Sequence, residues 1–200
     1  YRSVNEVIST IMLNYIAVFA IRELVSIGGV LQDVSTGQGT SARLPSSSVL
    51  PILWGEIQGV HLGAVIALVA AVVYKVVIDH TPFGFAVRAV GANRSAAAYA
   101  GTPVRRITVA ALAVAGAFGG LAGASEITGV QHRLTENFVA TAQIGFVGIA
   151  VALLGRSTAS GVVIAAILFG SLDSGARALS GEFPSDLARP LATVIQGMII

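Results

Sequence analysis

Apolar residues come in long blocks, and polar residues are confined to the stretches between them. The blocks run from Val7 to Ile21, Gly59 to Ile78, Ile107 to Ser125, Phe138 to Leu154, Gly161 to Leu172 and Leu187 to Ile200. Two stretches, Ile107–Ser125 and Asn137–Gly155, hold 19 residues each without a charge. About 20 mostly apolar residues are needed for a helix to cross the hydrocarbon core of a bilayer. A soluble domain of 200 residues buries one such helix, not five. The pattern therefore predicts an all-α fold, a polytopic transmembrane helix bundle of about five to six membrane segments. The fourth and fifth blocks are short, which fits a segment that enters the membrane without fully crossing it.

Composition sharpens this reading. Hydrophobic residues are 54% of the chain and charged residues 11%, against roughly 25% charged in an ordinary soluble domain. The net charge is +2 and no basic tract tracks a phosphate backbone, so nucleic acid is a poor partner. There are no cysteines, which excludes thiol chemistry and disulfides. His61, His80 and His132 share no ligand spacing, so no metal site and no catalytic residue is expected. The chain opens at Tyr1 without an initiator Met and stops at Ile200 inside an apolar run, so residues 1–200 read as a single transmembrane domain cut at both ends.

The connecting segments differ from one another. Residues 22–58 form a long stretch rich in Ser, Gly and Pro, expected as a partly ordered external loop with Trp54 as an interfacial anchor. The stretch 79–106 carries Arg88, Arg94, Arg105 and Arg106 beside Lys75. A short loop this rich in cations belongs on the cytoplasmic side. Alternation then puts seven basic residues inside and five outside, so the orientation rests on this one dense loop. Within the third block, Gly116, Gly119, Gly120 and Gly123 give two overlapping GxxxG spacings. These serve either packing within the bundle or a seam to another subunit.

The stretch 81–106 is the most informative. Asn93 is placed to cap a helix start, Ser95 to Ala100 are good helix formers, Gly101 sits where a left-handed C-terminal residue belongs, and Pro103 stops the helix. A helix of under two turns is thus expected between two spans. It is either a plug for a groove on another protein, with arginines that pair with acidic groups, or simply a capped turn. Elsewhere, polar residues at membrane depth are candidates for a translocation pathway, because burying them in hydrocarbon is costly. Asn14 lies in the first block, Gln143 early in the fourth, and Glu126 at an outer helix end. Asp173 and Arg177 stand four apart and are spaced to pair.

Thr81, Phe83, Gly84, Arg88, Ala89, Val90, Gly91, Asn93, Ala96, Ala97, Ala100 and Gly101 fall in a pattern that resembles the cytoplasmic coupling loop of ABC-importer permeases. The resemblance is to the nucleoside and simple-sugar branch, which works beside basic-membrane-protein-type binding proteins, within the branched-chain amino acid/ribose-type permease family. Asn5-Glu6-Val7-Ile8-Ser9-Thr10-Ile11-Met12-Leu13-Asn14-Tyr15-Ile16-Ala17 is similar to the first span of that branch, and Gly145 to Gly155 to a later Gly-rich segment. Ser95 stands where several importer types have Glu, and Thr102 where this branch has Ile.

The resemblance implies a permease domain over 1–200 with a coupling loop at 81–106. Its ATPase-docking residues would be Gly91, Asn93, Arg94, Ser95, Ala96, Ala97, Tyr99, Ala100 and Gly101. It implies cytoplasmic ATP-binding subunits, a second permease subunit, an extracytoplasmic substrate-binding protein, surrounding lipid, and a multi-pass place in a bacterial inner membrane. The chain itself has no Gly-x-x-x-x-Gly-Lys-Ser/Thr loop. It is thus expected to bind no cofactor and to leave ATP to a partner. Two rivals stand beside this reading. One is a branched-chain amino acid permease, against which the first-span stretch argues. The other is a secondary transporter without an ATPase, which would more often carry paired ionisable groups at membrane depth.

Overall fold

The computed structural model describes residues 6–55, 60–135, 144–179 and Gly197. Seven α-helices carry most of these residues: α1 (Glu6–Val25), α2 (Leu62–His80), α3 (Pro82–Ala92), α4 (Arg94–Tyr99), α5 (Val104–Glu126), α6 (Ile144–Leu154) and α7 (Ala159–Leu179). A short ribbon, β1 (Ile52–Trp54) antiparallel to β2 (Val60–His61), precedes α2.

Among the described residues three helices are long and apolar enough to cross a membrane: Ile8–Val25, Leu62–His80 and Val104–Gln131. The last is α5 prolonged by a π-helical turn over Ile127–Gln131. At 1.5 Å per residue its 28 residues reach roughly 42 Å, beyond the ~30 Å hydrocarbon core. The side chains of these helices are exposed nearly all round: Leu13, Phe19, Leu68, Val72, Val109 and Leu112 all project outward. A helix that is apolar on every face matches a lipid-like solvent rather than water. The chain is a helical membrane protein.

The chain divides into two compact units, Tyr1–Val65 with Gly119–Gln143, and Ile66–Phe118 with Ile144–Ile200. In the first, α1 runs one turn further than its apolar block, past Arg22 to Val25, which is buried at 1% exposure. The segment after it folds back, with the Leu31 amide donating to the Leu24 carbonyl at 2.9 Å. Asp33 holds a turn in which the Ser35 hydroxyl (2.6 Å) and amide (3.0 Å) both donate to its carboxylate. Those two bonds keep the Asp33 carboxyl below its ordinary acidity range.

The expected external loop is tied down more firmly than its composition suggested. Gln32 pairs with Ser41 and Thr40 with Thr135, and the amides of Leu44 and Leu50 donate to the carbonyls of His132 and Thr128. Backbone groups of one loop are thus satisfied by the other. His61 accepts from the Gly63 amide at 3.0 Å through Nδ1, and its ring lies so close to Gly129 that a Cβ there would collide with it. Trp54, expected as an interfacial anchor, is exposed.

In the second unit, α6 and α7 form a hairpin around Val151, Ala165 and Phe169, with Ala150 and Val162 against them. Its turn is tight enough that a Cβ on Gly155 or Gly161 would strike the opposing backbone. The Arg156 and Ser157 amides close α6 onto the carbonyls of Leu153 and Ala152, both at 2.9 Å. Tyr74 on α2 meets Phe118 on α5 edge to face, and its hydroxyl donates to the Ser157 carbonyl at 3.5 Å. The sixth apolar block, 187–200, lies outside the described residues apart from Gly197.

Candidate functional site: a capped helix between two spans

The chain from α2 to α5 is a run of helices joined by very short links. Thr81 alone connects α2 to α3, in an extended conformation (φ −118°, ψ 153°). Its hydroxyl accepts from the Gly84 amide at 3.1 Å and donates to the Val77 carbonyl at 2.5 Å. Pro82 follows at the first helical position, where a missing amide proton costs nothing. Gly84 is buried against the last turn of α2, and a Cβ there would run into the carbonyls of Val77 and Ile78. Across the same bend the Arg88 guanidinium pairs with Asp79 at 3.2 Å, both half exposed.

Asn93 repeats the device. It is extended (φ −157°, ψ 107°), ends α3 with its amide bonded to the Ala89 carbonyl, and caps α4 by accepting from the Ala96 amide at 3.0 Å. The cap satisfies an amide that would otherwise face solvent or lipid unpaired. Helix α4 closes in a Schellman motif. The Thr102 amide donates to the Ala97 carbonyl (2.9 Å) and the Gly101 amide to the Ala98 carbonyl (3.0 Å). Gly101 sits at φ +81°, where a Cβ would be strained. The expected helix of Ser95–Ala100 is thus present one residue earlier, at Arg94–Tyr99.

Its exposed surface is small at Ser95, Ala96, Ala98 and Ala100, with large side chains at Arg94 and Tyr99. Ala97 turns inward and is buried at 4% exposure, while Tyr99 is 95% exposed. The outer face therefore offers an aromatic ring with a polar tip, a side chain enriched in protein interfaces. Arg94, Ser95 and Ala96 are also exposed. A groove of about 480 Å³ lies between the α3–α4 junction and the start of α5, with Val87, Val90, Asn93, Ile107, Thr108 and Ala111 among its walls.

Sequence reasoning missed helix α3. Its signal was present: a Thr in the N-cap position, Pro next, and Gly at the third helical residue, where the close approach to α2 requires it.

The pathway candidates are not gathered into one site. Asn14 is exposed on α1, and among the described residues its amide has no partner. Glu126 is half buried at the end of α5 and accepts from the Gln131 amide at 3.4 Å. Gln143 lies outside the described residues, as does the Arg177 side chain that was spaced to pair with Asp173. Among the described residues nothing lies against the faces of Gly116, Gly119, Gly120 and Gly123, so the small-residue stripe of α5 is open.

The long apolar helices and their short links define a multi-pass α-helical membrane protein. The whole chain, residues 1–200, matches the family described as branched-chain amino acid transport system / permease component, and it belongs to that family.

It is 43% identical over 200 residues to the guanosine ABC transporter permease protein NupP of Bacillus subtilis, covering 98% of this chain and 56% of that protein. It is 32% identical over 202 residues to the nucleoside ABC transporter permease protein NupB of Lactococcus lactis, covering 96% of this chain and 54% of the relative. It is 33% identical over 208 residues to the glucose ABC transporter permease protein TsgB13 of Haloferax volcanii, covering 98% and 53%. The chain thus spans about half the length of these relatives. No solved structure matches it.

Proposed function

We propose that this chain is the membrane-spanning permease subunit of an ATP-driven importer for nucleosides or simple sugars, and that α4 is the helix on which its ATPase docks. The observation that carries the proposal is α4 itself. Both of its ends are capped and its Ala97 face is buried, so its outward face is fixed without help from a partner. A site that is already ordered loses little entropy on binding. The docking segment comprises Gly91, Asn93, Arg94, Ser95, Ala96, Ala97, Tyr99, Ala100 and Gly101; Tyr99 and Arg94 are its anchors, buried Ala97 is its inward face, and the caps are its frame.

The wider arrangement follows from that role. Residues 1–200 form one transmembrane permease domain of five to six segments, with 81–106 as its cytoplasmic coupling loop, in a bacterial inner membrane. A second permease subunit completes the pathway, a binding protein delivers substrate outside, and cytoplasmic ATP-binding subunits hydrolyse ATP. Asn14, Glu126 and Gln143 are the pathway residues. The chain performs no covalent chemistry and is not an enzyme. The named relatives act on guanosine, nucleosides and glucose, which supports the nucleoside and sugar substrate class over amino acids. The family's description supports the branched-chain amino acid reading as the second choice.

The test is co-purification of the full-length protein from its native membrane. An ATPase subunit is expected to accompany the parent and to be lost with Gly101→Glu. That change puts a charged side chain at a left-handed position, which costs about 1–2 kcal/mol in backbone strain alone. Absence of any ATPase from a parent preparation that retains other membrane complexes sinks the proposal. Uptake of labelled guanosine, competed by excess unlabelled leucine or guanosine, separates the two substrate readings.

A further inference from the structure

The links on the two sides of α4 are unequal. Towards α2, three kinds of contact cross the bend. Thr81 ties the Val77 carbonyl to the Gly84 amide, Gly84 seats α3 directly on the backbone of Val77 and Ile78, and Arg88 reaches back to Asp79. Asn93 then joins α3 to α4 through one extended residue whose side chain is fixed in a cap. Towards α5, the link is Ala100, Gly101, Thr102 and Pro103, and the Gly101 and Thr102 amides bond back only to the last turn of α4, not to α5. The space where a Cβ on Gly101 would stand is open, and the groove separates the α3–α4 junction from Ile107, Thr108 and Ala111.

From this we infer that α2, α3 and α4 move as one body, that Asp79 and Arg88 are positioning residues for that body, and that a push on α4 reaches the membrane through α2 while α5 yields across the groove. The inference rests on the docking role proposed for α4. It adds the route by which the displacement enters the bundle. An element that is capped and seated at each step transmits displacement, because close-packed contacts are not continuously deformable. A groove has no atoms to transmit through. The ion pair itself is exposed and contributes little to the stability of the fold, so reversing it tests the route rather than folding.

The test uses the full-length complex with its co-purified ATPase, cleared of other cysteines. Spin labels are placed at exposed sites on α3 (Phe85→Cys), α2 (Val76→Cys) and α5 (Val109→Cys). On adding ATP and magnesium, the Phe85–Val109 distance is expected to shift and the Phe85–Val76 distance to stay fixed. Asp79→Arg or Arg88→Asp alone should retain the ATPase yet let the Phe85–Val76 distance broaden under ATP. The double reversal, Asp79→Arg with Arg88→Asp, should restore it. A shift in the α3–α2 distance in the parent overturns the route, as does a single reversal that behaves like the parent or a double reversal that rescues nothing. If the parent carries no ATPase, the docking role fails first and the route falls with it.

Discussion

Single residues decide whether the short helix exists. A six-residue helix has too few internal hydrogen bonds to persist alone, since isolated helices below about 12–15 residues are marginal in water. Asn93 and Gly101 stand in for the missing turns. Asn93→Ala is expected to cost about 1 kcal/mol of local stability, read as faster hydrogen exchange at the Ala96 and Ala97 amides. Asn93→Asp should preserve most of the protection, because Asp caps as well as Asn. Unchanged protection in the alanine variant would mean that the burial of Ala97, not the cap, holds α4. Both caps were legible in the sequence, because a cap is a property of one residue and its next three or four neighbours. The burial of Ala97 and the exposure of Tyr99 were not, because they depend on which way α3 turns.

At the scale of elements, the joints matter more than the rods. Thr81 and Asn93 each end one helix and start the next, so three helices follow one another with no loop between them. The α6–α7 joint works differently. Arg156 and Ser157 both lie in the left-handed region, at φ 53° and 55°, although neither is glycine. Arg156→Gly removes the penalty at the first of these and should raise the melting temperature of the detergent-solubilised full-length protein, with a gain of up to about 1 kcal/mol. A lower melting temperature would show that the Arg156 side chain contributes more than its backbone costs. The spans themselves were legible because a continuous apolar block is a direct consequence of a lipid solvent. Their ends were less so: α1 continues past Arg22, a long cation that can sit at a helix end with its charge in the interface.

For the whole molecule, orientation is the property that the proposed function requires. With α4 in the cytoplasm, a cysteine at Tyr99 should react with a membrane-impermeant maleimide only in inside-out vesicles. One at Trp54 should react only from the opposite side. Both are exposed, so neither test is limited by burial. Labelling of both from one side would remove the basis for an ATPase at α4.

The sequence by itself determined that this chain lives in a membrane, where its long helices run, and that a capped helix stands between two of them. These are local properties: a run of apolar side chains, a capping amide, a glycine before a proline. Only the tertiary structure decided that 22–55 is tied to 127–135 by backbone hydrogen bonds, that α3 is a helix seated on α2, and that a groove parts the α3–α4 junction from α5. Each of those depends on residues far apart in the chain or on the direction of a single bend, and no local pattern encodes a direction.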